Sequence, residues 1–206
     1  MDEFTSAEQA LVLVHDVVET ICDDDLHRPT PCRDWDVQAL ADHLIDTIVR
    51  LGAAIGVPAA MLDGGAIDRR VHQVTQPILS GWRRRGLTED VVFSGRTLPA
   101  HRALGILCLE LVVHGWDFAV ALNRPLHVSD ALAAHVLGLA RQALTTESRA
   151  TAGFNPPVPV LVDASARAAR RLHRSRPTAD GASASHTLSA TLSLHHCGDW
   201  GFVQLH

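Results

Sequence analysis

A carboxylate and an imidazole set one helical turn apart, Glu110 and His114, are the residues of this chain best placed to do chemistry. They follow from Leu104-Gly-Ile-Leu-Cys-Leu-Glu-Leu-Val-Val113, a stretch in which Glu110 is the only charged side chain. Leu107, Glu110, His114, Asp117 and Ala121 recur at the steps of one helical face, so the spacing turns Glu110 inward. A buried carboxylate without a partner costs several kcal/mol, and the sequence has no lysine to serve as one. Two arrangements would satisfy it. In one, Glu110 and His114 form a hydrogen-bonded pair that fixes helix register; in the other, both ligate a divalent ion. Catalytic zinc takes three protein ligands and keeps a fourth position open, so the second arrangement calls for one more donor from a different helix.

His43, within Leu40-Ala-Asp-His-Leu-Ile45, is the best candidate for that donor. At about 100° per residue it lies about 120° from the centre of its helix's apolar face, a shoulder position equally open to a structural or surface histidine. Asp117, one turn beyond His114, can accept a hydrogen bond from the far nitrogen of a ligand imidazole, or can pair with an arginine near the helix end. Asp42 and Asp46 flank His43 and read as solvated helix surface. A fourth protein ligand, His101 or Asp117, would close the site to any small molecule. Cys32 stands near a helix start, where the dipole lowers a thiol's pKa, although its size also suits plain packing. His195-His-Cys197 has ligand-type side chains, but adjacent residues in a polar tail seldom converge on an ion.

Helices must position these groups. Thr5-Ser-Ala-Glu8 reads as a capping box opening a helix with Leu11, Val14, Val17, Val18 and Ile21 on one side. Asp36 is the expected cap of a second helix, with Trp35 stapled over Leu40 and a buried face of Val37, Ala41, Leu44, Ile48, Leu51 and Ile55, ending near Pro58. Val71, Val74, Ile78 and Trp82 mark a third helix that Pro77 should interrupt or kink. Val91-Val-Phe93 reads as a short extended segment, 95–97 as a turn, and Pro99 as the first residue of the long helix bearing Glu110 and His114, which stops before Pro125. Ser129 caps a helix to about Leu144; 156–162 is an extended stretch containing a short strand, and 164–174 a last helix. From Thr178 the chain is rich in Ala, Ser, Thr and His without a period, as in a loosely ordered tail. The expected fold is therefore all-α, an antiparallel four-helix bundle over 1–150 with a small C-terminal extension over 151–177 and a low-complexity tail over 178–206.

With 206 residues, 47% of them hydrophobic, the chain suits one globular domain with a sizeable core. The net charge of −5 and the spread of its 18 arginines argue against nucleic acid as a partner. No apolar run has the length of a membrane span, and the start Met-Asp-Glu-Phe does not resemble a signal peptide, so no membrane partner and a cytoplasmic location are expected. The four cysteines form no Cys-x-x-Cys pair, which speaks against a zinc knuckle or a redox dithiol.

Four segments occur together in an informative order: Thr30-Pro-Cys-Arg-Asp-Trp-Asp-Val37, Leu40-Ala-Asp-His-Leu44, Gly95-Arg-Thr-Leu-Pro-Ala100 and Glu110-Leu-Val-Val-His-Gly-Trp-Asp117. In order and spacing the chain resembles the mycothiol-dependent maleylpyruvate isomerase N-terminal family, of the DinB/YfiT-like superfamily of metal-binding four-helix bundles, from about Thr5 to Pro177. The resemblance implies a divalent metal, most aptly zinc, on His43, Glu110 and His114; the acceptor reading of Asp117 rests on its spacing alone. It also implies a low-molecular-weight thiol such as mycothiol as cosubstrate, bound as thiolate and directed at a small electrophile; a monomer or homodimer is expected, a choice the sequence leaves open. Maleylpyruvate isomerases carry a further C-terminal domain with a catalytic arginine; in the corresponding region of this chain Arg170, Arg171, Arg174 and Arg176 read as solvated surface charge. The competing class is a non-catalytic metal-binding bundle with a structural or stress role, and a third is metal-dependent hydrolysis, for which no general base stands out.

Overall fold

A computed structural model describes residues 1–32, 35–58 and 64–143. Five helices and one hairpin make up these residues: α1 (Glu3–Val18), α2 (Val37–Ala53), α3 (Ile67–Arg85), β1 (Asp90–Phe93), β2 (Arg96–Pro99), α4 (Ala100–Ala121) and α5 (Asp130–Ala143), with a single 3₁₀ turn at Asp23–Asp25. The all-α bundle expected from the sequence is the observed fold. The extended stretch with its short strand over 156–162, the helix over 164–174 and the tail over 178–206 lie outside the described residues, as does His195-His-Cys197.

α4 is the hub. α1 packs along it most extensively, α2, α5 and both hairpin strands also rest on it, and α3 packs on α2 and α1. Such a helix must be apolar all round, and 18 of its 22 residues are buried. This corrects one expectation. α4 is long and apolar enough to cross a membrane by length and composition, but nearly all of its apolar stretch is buried inside the bundle, which accounts for its apolarity. The predicted faces of α1 and α2 are the buried ones: Leu11, Val14, Val17 and Val18 on α1, and Val37, Ala41, Leu44, Ile48 and Leu51 on α2.

Local chemistry shifts several boundaries. α1 begins before the expected capping box, because Asp2 accepts from the Thr5 backbone N–H at 2.9 Å and from the Thr5 hydroxyl at 2.6 Å. A carboxylate thus serves as cap and Thr5 becomes a residue of the first turn. Asp36 caps α2 as expected, accepting from Ala39 N–H at 2.9 Å. α2 stops at Ala53, short of Pro58, with Gly56 in the left-handed region at φ 71°. Pro77 does not break α3, which runs through it; the proline ring is on the exposed face, where its missing donor interrupts no core packing. Residues 96 and 97, expected in a turn, are strand residues. Ser94 and Gly95, at φ 50° and 76°, form the two-residue loop that suits a right-handed hairpin twist, and Phe93 pairs with Arg96, Val91 with Leu98. Pro99 closes β2 and precedes α4 rather than opening it. α4 ends at Ala121, where Asn123 turns left-handed at φ 53° and Arg124 N–H donates back to the Ala119 carbonyl at 2.8 Å. The Ser129 hydroxyl accepts from Leu132 N–H at 3.2 Å at the start of α5.

Candidate metal centre

The centre lies between α2, which carries His43, and α4, which carries Glu110 and His114. Glu110 and His114 are each 1% exposed, as the apolar stripe of α4 requires, and the His43 side chain keeps 9% of its exposure, in line with its shoulder position on α2. One ligand atom from each of the three lies within 4.8 Å of the others. Oε2 of Glu110 is 3.2 Å from His114 Nε2 and 3.5 Å from His43 Nε2, and the two imidazole rings stand edge to face, 5.2 Å between centroids. These approaches lack hydrogen-bond geometry. His43 Nε2, His114 Nε2 and both carboxylate oxygens of Glu110 are buried with no hydrogen-bond partner among the described residues.

That arrangement decides how well a metal fits. A polar pair that merely fixed helix register would spend its donors on each other, whereas here one buried ligand atom from each of three side chains converges, and none of them has a hydrogen-bond partner among the described residues. Two imidazole nitrogens and one carboxylate are a donor set suited to zinc. The residues present therefore fit a divalent ion.

The electrostatics of the chain by itself are coherent. Burial works to raise the Glu110 carboxyl, but the imidazoles of His114 and His43 outweigh it and hold the group at about 2. Burial likewise works to lower His114, and Asp117, Cys32 and Glu110 together raise it well above an ordinary imidazole. The far nitrogen of His114, Nδ1, donates to Asp117 Oδ2 at 3.0 Å, both groups being buried. Asp117 thus takes the role of acceptor for the imidazole rather than of partner to an arginine. Asp42 lies on the outer face of α2, paired with Arg70 at 2.6 Å, and Asp46 with Arg50 at 3.1 Å. His101 is exposed at the start of α4, away from the centre.

Two residues of the preceding loop reach the site in ways that spacing did not foretell. Trp35, expected as a staple over Leu40, lays its indole against the His43 ring, 4.3 Å between centroids. Cys32 is buried, and its thiol donates to Asp117 Oδ2 at 3.5 Å, so it is neither an exposed nucleophile nor simple apolar filling. The Thr-Pro-Cys-x-x-Trp motif marks this loop in the sequence; which partners it meets depends on how α2 and α4 pack.

The family model for the mycothiol maleylpyruvate isomerase N-terminal domain matches residues 7–119. The chain belongs to this family. The matched span of this maleylpyruvate isomerase N-terminal domain runs from α1 nearly to the end of α4 and contains His43, Glu110, His114 and Asp117. Two proteins of Mycobacterium tuberculosis, both described as uncharacterized, are 23% identical to the chain over 153 residues, covering 72% of this chain and 83% of their own length. No solved structure matches the chain.

Proposed function

We propose that the chain binds one divalent ion, most aptly zinc, through His43, Glu110 and His114, and uses a low-molecular-weight thiol of the mycothiol type on small electrophiles, as an S-transferase or cis-trans isomerase. The observation that carries this reading is the convergence of one buried ligand atom from each of His43, Glu110 and His114, none with a hydrogen-bond partner among the described residues. Family membership supports the thiol and isomerase parts. One carboxylate against a divalent charge leaves a net positive centre, to which an anionic sulfur is the natural complement. A bound ion of this type would supply the charge that favours thiolate over thiol. The chain's own groups do the rest. Glu110 stays ionised, Asp117 holds Nδ1–H of His114 so that Nε2 is left as the donor atom, and two helices fix the donors relative to one another. In this reading residues 1–150 are the working unit, its partners are small molecules, and its compartment is the cytoplasm, where such thiols are found.

A non-catalytic bundle, in which the ion only braces α2 against α4, would be expected to close its site with a fourth protein ligand. His101 is exposed and, at nine residues before Glu110, about 13 Å away along the helix. Asp117 is already engaged by His114 and Cys32. Both observations favour the open site.

Metal analysis of the purified chain should find about one ion per chain, lost when His43, Glu110 and His114 are changed to alanine together; a full complement in that variant eliminates the site. With the metal-loaded chain, consumption of maleylpyruvate or a haloaromatic compound should require mycothiol. If mycothiol neither binds nor supports turnover across a broad electrophile panel, the thiol reaction is ruled out and the bracing role remains.

A further inference from the structure

One carboxylate oxygen, Oδ2 of Asp117, receives two buried hydrogen bonds: from Nδ1–H of His114 at 3.0 Å and from the Cys32 thiol at 3.5 Å. We infer that Cys32 is a positioning residue for the metal centre: by anchoring Asp117 it fixes the orientation of His114, with Nδ1 protonated and Nε2 turned toward Glu110 and His43. This inference rests on the metal reading given above.

The geometry explains why a second donor is needed. Asp117 and His114 lie three residues apart on α4, so their bond ties together two neighbours on one helix and makes no connection outside it. Cys32 lies 85 residues away in sequence and supplies a fixed point outside that helix. Its own backbone is held firmly. Cys32 N–H donates to the Thr30 hydroxyl at 3.1 Å, the same hydroxyl reaches the carbonyls of Cys32 and Trp35, and Trp35 N–H donates to the Cys32 carbonyl at 2.9 Å. The loop then runs into Asp36, the cap of the helix that carries His43. One short loop therefore references both ligand-bearing helices, and an acceptor that orients a ligand imidazole is worth roughly 10- to 100-fold in metal affinity.

Cys32, His114 and Asp117 also have the residue types of a metal site, with one ligand atom of each within 4.8 Å of the others. The difference from the first cluster is that these atoms bond to one another, Asp117 accepting from both, whereas those of His43, Glu110 and His114 lack hydrogen-bond partners. The structure assigns the Cys32 cluster to bracing, not to a second ion.

The test measures zinc affinity of the full chain by competition with a chromophoric chelator, together with the Nδ1–H resonance of His114 in the metal-free, ¹⁵N-labelled chain. Cys32→Ser keeps a donor and should retain both wild-type affinity and a solvent-protected resonance. Cys32→Ala should lose roughly 10- to 100-fold in affinity and expose that proton to exchange, and Asp117→Asn should do the same. Cys32→Val, closer in volume and equally unable to donate, replaces alanine if the smaller side chain leaves the chain unfolded. Wild-type affinity and a protected proton in the non-donating variant overturn the inference, as do two zinc ions per wild-type chain. A wild-type chain that binds no zinc, yet shows a protected proton that Cys32→Ala loses, would defeat the metal reading while leaving the orientation of His114 by Cys32 intact.

Discussion

Cys22 is exposed, yet its thiol is restrained by a neighbour. Its Sγ donates to Asp25 Oδ2 at 3.1 Å, and this bond pushes the thiol's pKa up. The same bond, with Arg28 at 3.0 Å, brings Asp25 down from 3.8 to about 2. Because the folded pKa of Asp25 is the lower one, its contribution to stability is complete above the ordinary carboxylate range and is lost as pH falls toward 2. At about pH 8 the restrained thiol should react with a disulfide reagent more slowly than an isolated cysteine, since only thiolate attacks. Asp25→Ala should speed labelling of Cys22, followed by mass spectrometry of its peptide; an unchanged rate would disprove the coupling. At this scale Glu110 and His114 were legible in the sequence because helical periodicity alone fixes their relation. His43 could be read only as permissive, and the partners of Cys32 and Trp35 not at all, because those contacts exist only once α2 and α4 have packed.

Between elements, the crossing of α2 and α3 is built on a close approach at Gly52. A Cβ added there would meet Ile78 side-chain atoms at 2.7 Å and the Val57 carbonyl oxygen at 3.0 Å. Gly52→Ala should therefore cost about 1–3 kcal/mol through overpacking, despite alanine's better helix propensity, and lower the midpoint of thermal unfolding. A gain in stability would mean that Ile78 moves aside freely. The buried faces of α1 and α2 were readable because an amphipathic period survives in them. The second hairpin strand was not: Arg96-Thr-Leu-Pro99 is too short to show alternation, and only Ser94-Gly95 between two short runs hints at it. The start of α1 was misplaced because Asp2 and Thr5 are both good caps, and the competition between them is settled by the geometry of the first turn.

For the whole molecule, the candidate ion would join two layers of the bundle. α4 is the hub buried by α1, α2, α5 and the hairpin, while α2 links it to α3, so a ligand from each ties the hub to the outer pair. Without an ion, the centre buries a carboxylate against two imidazoles in contacts that are not hydrogen bonds, which is a weak way to stabilise a core. Binding to the folded state alone adds RT ln(1 + [L]/Kd), about 2.7 kcal/mol when free zinc is at 100 times Kd. For a chain of this size, that corresponds to a rise of roughly 5–10 °C in the unfolding midpoint. Zinc added to chelator-treated protein should produce this rise, excess chelator should reverse it, and the variant lacking all three donors should show neither response. An equal rise in that variant would move the ion elsewhere on the chain. Absence of any rise in the wild type, with zinc demonstrably bound, would mean that the ion does not couple α2 to α4.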